Sequence, residues 1–248
     1  MTALGAIYPG LKGRAIFITG GATGIGSELV RAFVGQGAVV SFCDIQDEAG
    51  RALAAELGAP ARYVHVDVTD VAALQSAIAA HDRIDVLINN VANDTRHLPQ
   101  DVTPESWRRC MAINLDAAFF ATQAVIPLMD GAGGGSIINF SSINALLGPE
   151  DMPGYVTAKA GLLGMTKALA RQYGTRKIRV NAILPGWVVT ERQLDKWLTP
   201  QAEAEWAKLV AIKERIHPSD VANLALFLAD DGSAKITGQQ FIIDAGRV

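Results

Sequence analysis

Cysteine and histidine are scarce in this chain, charge of either sign is not in excess, and no long apolar run occurs. Each lack closes off a class of function. Only two cysteines occur, Cys43 and Cys110, far apart and without cysteine or histidine neighbours. That excludes a disulfide framework and a thiolate metal site, and leaves buried free thiols as the expectation. The four histidines, His65, His81, His97 and His217, form no H-x-x-x-H pair, so no metal is expected. A net charge of −3, with acids and bases interspersed, lacks the footprint of a nucleic-acid partner and points to a small-molecule ligand. No stretch offers eighteen uninterrupted apolar residues and the opening MTALGAIYPGLKG has no basic leader, so a soluble, cytoplasmic protein without membrane association is expected.

What is present is a chain of 248 residues, 50% hydrophobic, long enough to bury a large core. Short apolar runs alternate with helical patterns. Strands are predicted at 14–19, 38–44, 61–67, 84–90, 135–142, 177–184 and 239–244. Helices are predicted over 24–36, 47–57, 70–80, 104–129, 153–174 and from Pro218 onward. This is the rhythm of an α/β protein with a doubly wound parallel sheet. No linker, repeat or low-complexity stretch interrupts it, so residues 1–248 read as a single domain. The rhythm breaks over 186–215, which reads as a flap covering substrate.

Chemistry concentrates in 142–159, which reads SINALLGPEDMPGYVTAK. Tyr155 and Lys159 are four apart, so on a helix they share a face. A neighbouring ammonium favours the phenolate and makes Tyr155 a candidate general base. One partly solvated ammonium is expected to fall short of a shift of two to three units (about 3–4 kcal/mol), so a second positive charge such as an oxidised nicotinamide is needed. Ser142 lies thirteen positions before Tyr155.

Directly after the first strand comes a glycine-rich turn, Thr19 through Gly26, with G-x-x-x-G-x-G spacing. Gly20, Gly24 and Gly26 allow a tight turn into a helix N-terminus that can hold a pyrophosphate. The Gly-Lys-Ser/Thr ending of a nucleoside triphosphate loop is missing. Asp44 closes the second strand, where a carboxylate accepts from an adenosine ribose and repels a 2′-phosphate; no Arg or Lys stands at 21–23 or 45–46, so NAD is expected over NADP. Asp67 and Asn90 end the third and fourth strands on the same edge.

With Thr19-Gly-x-x-x-Gly-x-Gly26, Asn89-Asn90, Asn114, Ser142 and Tyr155-x-x-x-Lys159 in this order, the whole chain resembles the short-chain dehydrogenase/reductase family. The resemblance implies a seven-stranded Rossmann-type sheet and an Asn114, Ser142, Tyr155, Lys159 catalytic tetrad. Tyr155 would take a hydroxyl proton while hydride leaves for nicotinamide. Ser142 would hold the reacting oxygen, Lys159 would bias Tyr155 and hold the nicotinamide ribose, and Asn114 would anchor a proton-relaying water. The implied cofactor set is Gly20, Ala22, Thr23, Gly24, Ile25, Gly26, Asp44, Ile45, Asp67, Val68, Asn90, Tyr155, Lys159, Pro185, Gly186, Val188 and Thr190. Asn89-Asn90-Val91-Ala92 departs from the family's usual Asn-Asn-Ala-Gly, so the backbone after the fourth strand is expected to run differently.

The flanks of the site are polar. Asn93, Asp94, Arg96, Asn144, Arg192 and Gln193, with Trp187 and Trp197, suit a polyhydroxylated ligand together with Ser142 and Tyr155, since an indole packs on a sugar's apolar face. AIYPGLKG, NDTRH and RQLDKWLTP are similar to segments of bacterial NAD-dependent sugar 1-dehydrogenases. Oxidation of an aldose at its anomeric carbon to the lactone is therefore expected. The alternatives are another polyol or hydroxy-acid derivative as substrate, or a non-catalytic NAD sensor, which needs neither Ser142 nor Tyr155. Gly161 and Gly164 inside a helix suggest close packing of another backbone there, and the resemblance implies a homotetramer.

Overall fold

A computed structural model of the chain describes residues 6–191, 193 and 199–248. Seven strands form one parallel sheet in the order β3-β2-β1-β4-β5-β6-β7. They are β1 (Ala15–Thr19), β2 (Val39–Asp44), β3 (Ala61–His65), β4 (Val86–Asn89), β5 (Gly135–Phe140), β6 (Ile178–Pro185) and β7 (Gln240–Ile243). The first three strands wind outward one way and the last four the other way, so the order reverses between β1 and β4. Ligands in open α/β sheets bind at that crevice, beyond the carboxyl ends of the strands.

The strands read as continuous apolar runs because both sheet faces are covered. Along β1 the alternation sorts Ile16 and Ile18 into one core and Phe17 into the other. On the first face lie α1 (Gly24–Gly35), α2 (Asp47–Leu57) and α9 (Pro218–Ala229). They contribute Leu29, Val30, Phe33, Leu53, Val221 and Leu226 at helical spacing. On the opposite face α3 (Val71–Ala79), α5 (Ala117–Gly131) and α7 (Pro153–Tyr173) cover β1, β4 and β5 with Leu74, Ile78, Val125, Met129 and Ala170. Each large apolar side chain so buried is worth about 1.5–3 kcal/mol.

Helix starts are marked by their caps. Asp70 accepts from the Ala73 N–H to open α3. Thr103 and Ser106 form a reciprocal box with Pro104 at the first turn of α4 (Pro104–Met111). The predicted helix over 104–129 is in fact α4, one π-helical turn (Ala112–Asp116) and α5. This run is long and apolar enough to cross a membrane by length and composition, but its apolar residues Ala117, Ala121, Val125 and Met129 are packed into the core against the sheet.

Several predicted boundaries shift. The third strand ends at His65 rather than at 67 and the fifth at Phe140 rather than at 142, so Asp67, Ser141 and Ser142 leave the sheet and stand on its carboxyl edge. Among the described residues, the region 186–215 contains α8 (Pro200–Leu209), and its Val188 forms an isolated parallel bridge to Ile216 just beyond it. A one-turn helix, α6 (Asn144–Leu147), follows β5. Cys43 is buried as expected, while Cys110 is only half-buried.

Candidate active site

α7 carries the centre of the site. Tyr155, Lys159, Leu162, Thr166 and Ala170 recur at three- and four-residue steps and all are buried, so the phenol and the ammonium lie on the face that α7 turns to the sheet. Two polar contacts set the height of this helix on β5. Ser141 Oγ donates to the Lys159 carbonyl at 2.7 Å, and Asn139 Nδ2 donates to Thr166 Oγ1 at 2.9 Å. Asn139 in turn accepts from Asn89 Nδ2 at 2.9 Å, carrying the lock to β4. Ser142, the residue after the Ser141 clamp, accepts from the Asn144 N–H at 3.1 Å through Oγ. The hydroxyl proton of Ser142 is therefore the one it has to give.

Lys159 lies 1% exposed, with Nζ 5.6 Å from the centre of the Tyr155 ring and donating to the Phe140 carbonyl at 2.7 Å. This corrects the expectation of a partly solvated ammonium. Burial strengthens the field of the cation at the phenol. It also pulls the pKa of Lys159 down to about 7, an effect that Cys110 and Asp94 partly offset. Burial holds the Cys110 thiol up, hence neutral near pH 7, so Asp94 is the offsetting charge that counts there. Tyr155 is the third residue of α7, with Pro153 at the first position and a side chain tilted toward the helix N-terminus. The positive end of the helix dipole adds about 0.3–1 kcal/mol in favour of a phenolate there.

Asn114 sits in the π-helical turn, 2% exposed. Its Oδ1 accepts from the Asn93 N–H at 2.9 Å, and its Nδ2 donates to the Asn93 and Cys110 carbonyls at 3.1 and 3.0 Å. The side-chain amide thus clamps the loop after β4. The extra residue of a π turn displaces the local backbone, a distortion frequent at functional sites. No composition or spacing signal foretold this clamp, because it pairs a side chain with backbone atoms 21 residues away.

The residues present fit a nicotinamide dinucleotide. A Cβ on Gly26 would lie 1.8 Å from the Gly20 carbonyl oxygen, so only glycine lets α1 start this close to β1. Gly20 and Gly24 have φ of +68° and +57°. Thr23 gives α1 no side-chain cap, so the first-turn N–H groups of Gly24, Ile25 and Gly26 face outward for an anion. Asn90 Nδ2 holds the turn from beneath, donating to the Gly20 carbonyl at 2.8 Å. Val91, where the family motif differs, donates its N–H to Thr19 Oγ1 at 3.3 Å and packs into the core beneath the turn.

Asp44 is 8% exposed; its Oδ2 accepts from the Ala22 N–H at 3.1 Å and its Oδ1 from the Gln46 N–H at 3.1 Å. Tyr63, which the sequence reading missed, donates to the Asp44 carbonyl at 2.9 Å and secures this strand end. Ile45 stands 61% exposed beside it and Val68 is buried. Asp67 is exposed and accepts from both the N–H and the hydroxyl of Thr69, which lower its pKa; the structure shows a turn-forming acid at this position. Across the cleft, Gly186 donates to the Ile243 carbonyl, Val188 is buried, and Thr190 Cγ2 comes within 3.4 Å of where a Cβ on Gly24 would lie. The Pro185 to Thr190 segment and the phosphate turn are therefore neighbours.

Of the expected substrate residues, three are joined. Trp187 Nε1 donates to Gln193 Oε1 at 2.7 Å, and Gln193 Nε2 donates to Asp94 Oδ2 at 3.3 Å. Asn144 follows Ser142 and donates to Met152 Sδ at 3.2 Å. Arg96 pairs with Asp151 at 2.9 Å, just before the start of α7. Arg192 and Trp197 lie outside the described residues. Trp187, Val189, Glu203, Trp206 and Arg215 line one small cavity, so α8 rests against the exit of β6.

Comparison with known proteins agrees with this geometry. A family model described as enoyl-(acyl carrier protein) reductase matches residues 20–247. The chain is 48% identical over 244 residues to D-xylose 1-dehydrogenase of Caulobacter vibrioides, covering 97% of this chain and 98% of that one. It is 44% identical over 254 residues to a Rhizobium meliloti protein named "Probable galactose dehydrogenase", covering 99% of each. A solved short-chain type dehydrogenase/reductase from Mycobacterium ulcerans superposes with a TM-score of 0.91 at 25% identity, covering 95% of this chain and 90% of that one. With nearly the whole chain matched and a buried Tyr155–Lys159 pair beside a dinucleotide cradle, this protein belongs to the short-chain dehydrogenase/reductase family, oxidoreductases that act on CH–OH groups with a nicotinamide cofactor.

Proposed function

We propose that this enzyme oxidises the anomeric C1 hydroxyl of a neutral aldose to the lactone, using NAD. The observation that carries the reading is the polar rim built by Asp94, Gln193 and Trp187 beside the Tyr155–Lys159 pair, which matches a ligand studded with hydroxyls. The likeness to proteins named for D-xylose and galactose supports it.

A bound nicotinamide dinucleotide supplies the acceptor for the C1 hydride. The chain supplies the rest. Ser142 donates its hydroxyl proton to the reacting oxygen and fixes its position. Tyr155 takes the C1 hydroxyl proton as the carbonyl forms, a transfer worth about 10²–10⁴ in rate. Lys159 and the α7 dipole hold the phenolate ready. Asn114 keeps the loop after β4 in register with this centre. Gly24 to Gly26 seat the pyrophosphate, Asp44 receives the adenosine ribose beside Ile45, and Pro185 to Thr190 close on the nicotinamide.

Asp44 also sets the preference for NAD. Its carboxylate is held in place by Ala22 and Gln46, and the neighbouring Thr23, Ile45 and Gln46 bring no cation for a 2′-phosphate. In this reading the segment 186–215, of which α8 rests against the exit of β6, covers the bound sugar. We further propose a cytoplasmic homo-oligomer. Both thiols are free, and α5 and α7 border an exposed groove of about 430 Å³ lined by Leu115, Asp116, Phe119, Phe120, Gly161 and Met165. Gly161 meets Leu115 of its own chain, while nothing lies within 4 Å of where a Cβ on Gly164 would be. The groove fits a second copy.

Purified enzyme assayed with NAD and NADP side by side on pentoses, hexoses and deoxysugars tests the reading. Reduction of NAD on neutral aldoses, with release of a lactone, is expected. Turnover of a hydrophobic alcohol with no reaction on any aldose would overturn it, and turnover confined to other polyols or hydroxy acids would move the substrate class.

A further inference from the structure

α7 begins without a cap of its own. Met152 at its N-cap position makes no side-chain cap and Pro153 has no N–H, so the first N–H that the helix leaves to be paired is that of Gly154, the residue before Tyr155. A cap ordinarily accepts from this second helical position or the next, through the side chain that precedes the helix. Here the acceptor comes from another loop. Gly154 donates to His97 Nε2 at 3.4 Å, and the other ring nitrogen, Nδ1, lies 3.1 Å from the Thr95 carbonyl. A carbonyl only accepts and a backbone N–H only donates, so both partners select the same neutral tautomer, with the proton on Nδ1 and a lone pair on Nε2.

His97 is half-buried and ends a chain of contacts that starts at the π turn. Asn114 accepts from the Asn93 N–H, Asn93 Oδ1 accepts from the Thr95 N–H at 3.0 Å, and the Thr95 carbonyl accepts from the His97 ring. The same loop is fastened to the approach to α7 by the His97 N–H, which donates to the Asp151 carbonyl at 2.7 Å, and by the Arg96–Asp151 pair. Those two contacts hold residues ahead of the helix, whereas the imidazole reaches the helix itself. Its room there depends on glycine: a Cβ at 154 would lie 3.4 Å from His97 Nε2 and 3.1 Å from Cys110 Sγ.

We infer that His97 is a positioning residue for the oxidation: by accepting the Gly154 N–H it caps the first turn of α7 from the loop after β4 and fixes where that turn presents the Tyr155 hydroxyl. This rests on the role given to Tyr155 above and not on which alcohol is oxidised. A proton transfer needs its acceptor within hydrogen-bond reach, so a loosened first turn costs turnover before it costs cofactor binding, which uses the glycine-rich turn at the other side of the cleft.

The test measures kcat and the dissociation constant for NAD on wild type, His97→Leu and His97→Gln, the last keeping an amide oxygen that can accept from the Gly154 N–H. His97→Leu is expected to lower kcat at least tenfold with NAD binding held within threefold, and His97→Gln to recover most of that loss. Nitrogen NMR of labelled imidazoles in wild type at mildly alkaline pH, which needs no variant to fold, is expected to show His97 with its proton on Nδ1. A kcat within twofold of wild type in His97→Leu, equal losses in the two variants, or a proton on Nε2 overturns the inference while leaving aldose oxidation intact. Turnover by wild type of some other alcohol and of no aldose overturns the aldose reading alone, and the same comparison on that alcohol then decides the role of His97. Retained turnover in Tyr155→Phe overturns the role of Tyr155 and this inference together.

Discussion

Lys159 is a costly side chain, a fully buried ammonium that donates to the Phe140 carbonyl and feels the charge of Asp94. Its pKa falls from 10.5 to about 7, so between those values the unfolded chain binds more protons than the folded one and stability rises with pH. Lys159→Met should therefore melt above wild type at pH 6–7, with the gap shrinking as pH rises toward 10, while turnover is lost. Parallel melting curves of the cofactor-free proteins check this, and a gap independent of pH would refute the assignment of cost to the buried charge. Tyr155→Phe removes the phenolic hydroxyl that the proposed mechanism uses as proton acceptor. It should lower kcat at least a hundredfold and leave the dissociation constant for NAD within about threefold, measured by fluorescence titration.

At the scale of elements, the π turn between α4 and α5 ties the loop after β4, proposed to bear the substrate rim, to the helices beside α7. Asn114 spends its whole amide on Asn93 and Cys110, so Asn114→Ala leaves the Asn93 N–H without its acceptor, a loss of about 1–3 kcal/mol. The variant is expected to melt lower and to raise KM for sugar more than it weakens NAD, because the phosphate turn hangs from Asn90 instead. Equal losses in both ligands, by isothermal titration, would count against this division. The α7 face is the counterpart. Its polar residues Tyr155, Lys159 and Thr166 share one buried stripe, which the four-residue spacing of Tyr155 and Lys159 already announced.

At the scale of the whole molecule, the sheet order brings the ends of β1, β2, β4, β5 and β6 to one edge, where residues far apart in the chain meet. What remains exposed is also informative. Phe119 stands 40% exposed and packs edge-on against Phe120 at 5.3 Å beside α7. Phe119→Lys is expected to lower the mass measured by light scattering, with the melting point of the chain itself little changed; an unchanged mass would remove this groove from the interface.

The sequence by itself determined the alternating architecture, the glycine-rich turn after the first strand, Asp44 at the second strand end, and the placing of Tyr155 and Lys159 on one helix face. These are local or periodic properties, because strand and helix periods, glycine spacing and i, i+4 pairs are written in consecutive positions. Tertiary structure decided what those residues feel. Whether Lys159 is solvated or buried, that Phe140 offers it a carbonyl, that Asn114 clamps Asn93, that Asp67 serves a turn, and that Asp94 and Gln193 meet across 99 positions all depend on where the sheet edge places separate loops. Burial and backbone partners belong to the fold, and no residue type or spacing encodes them alone.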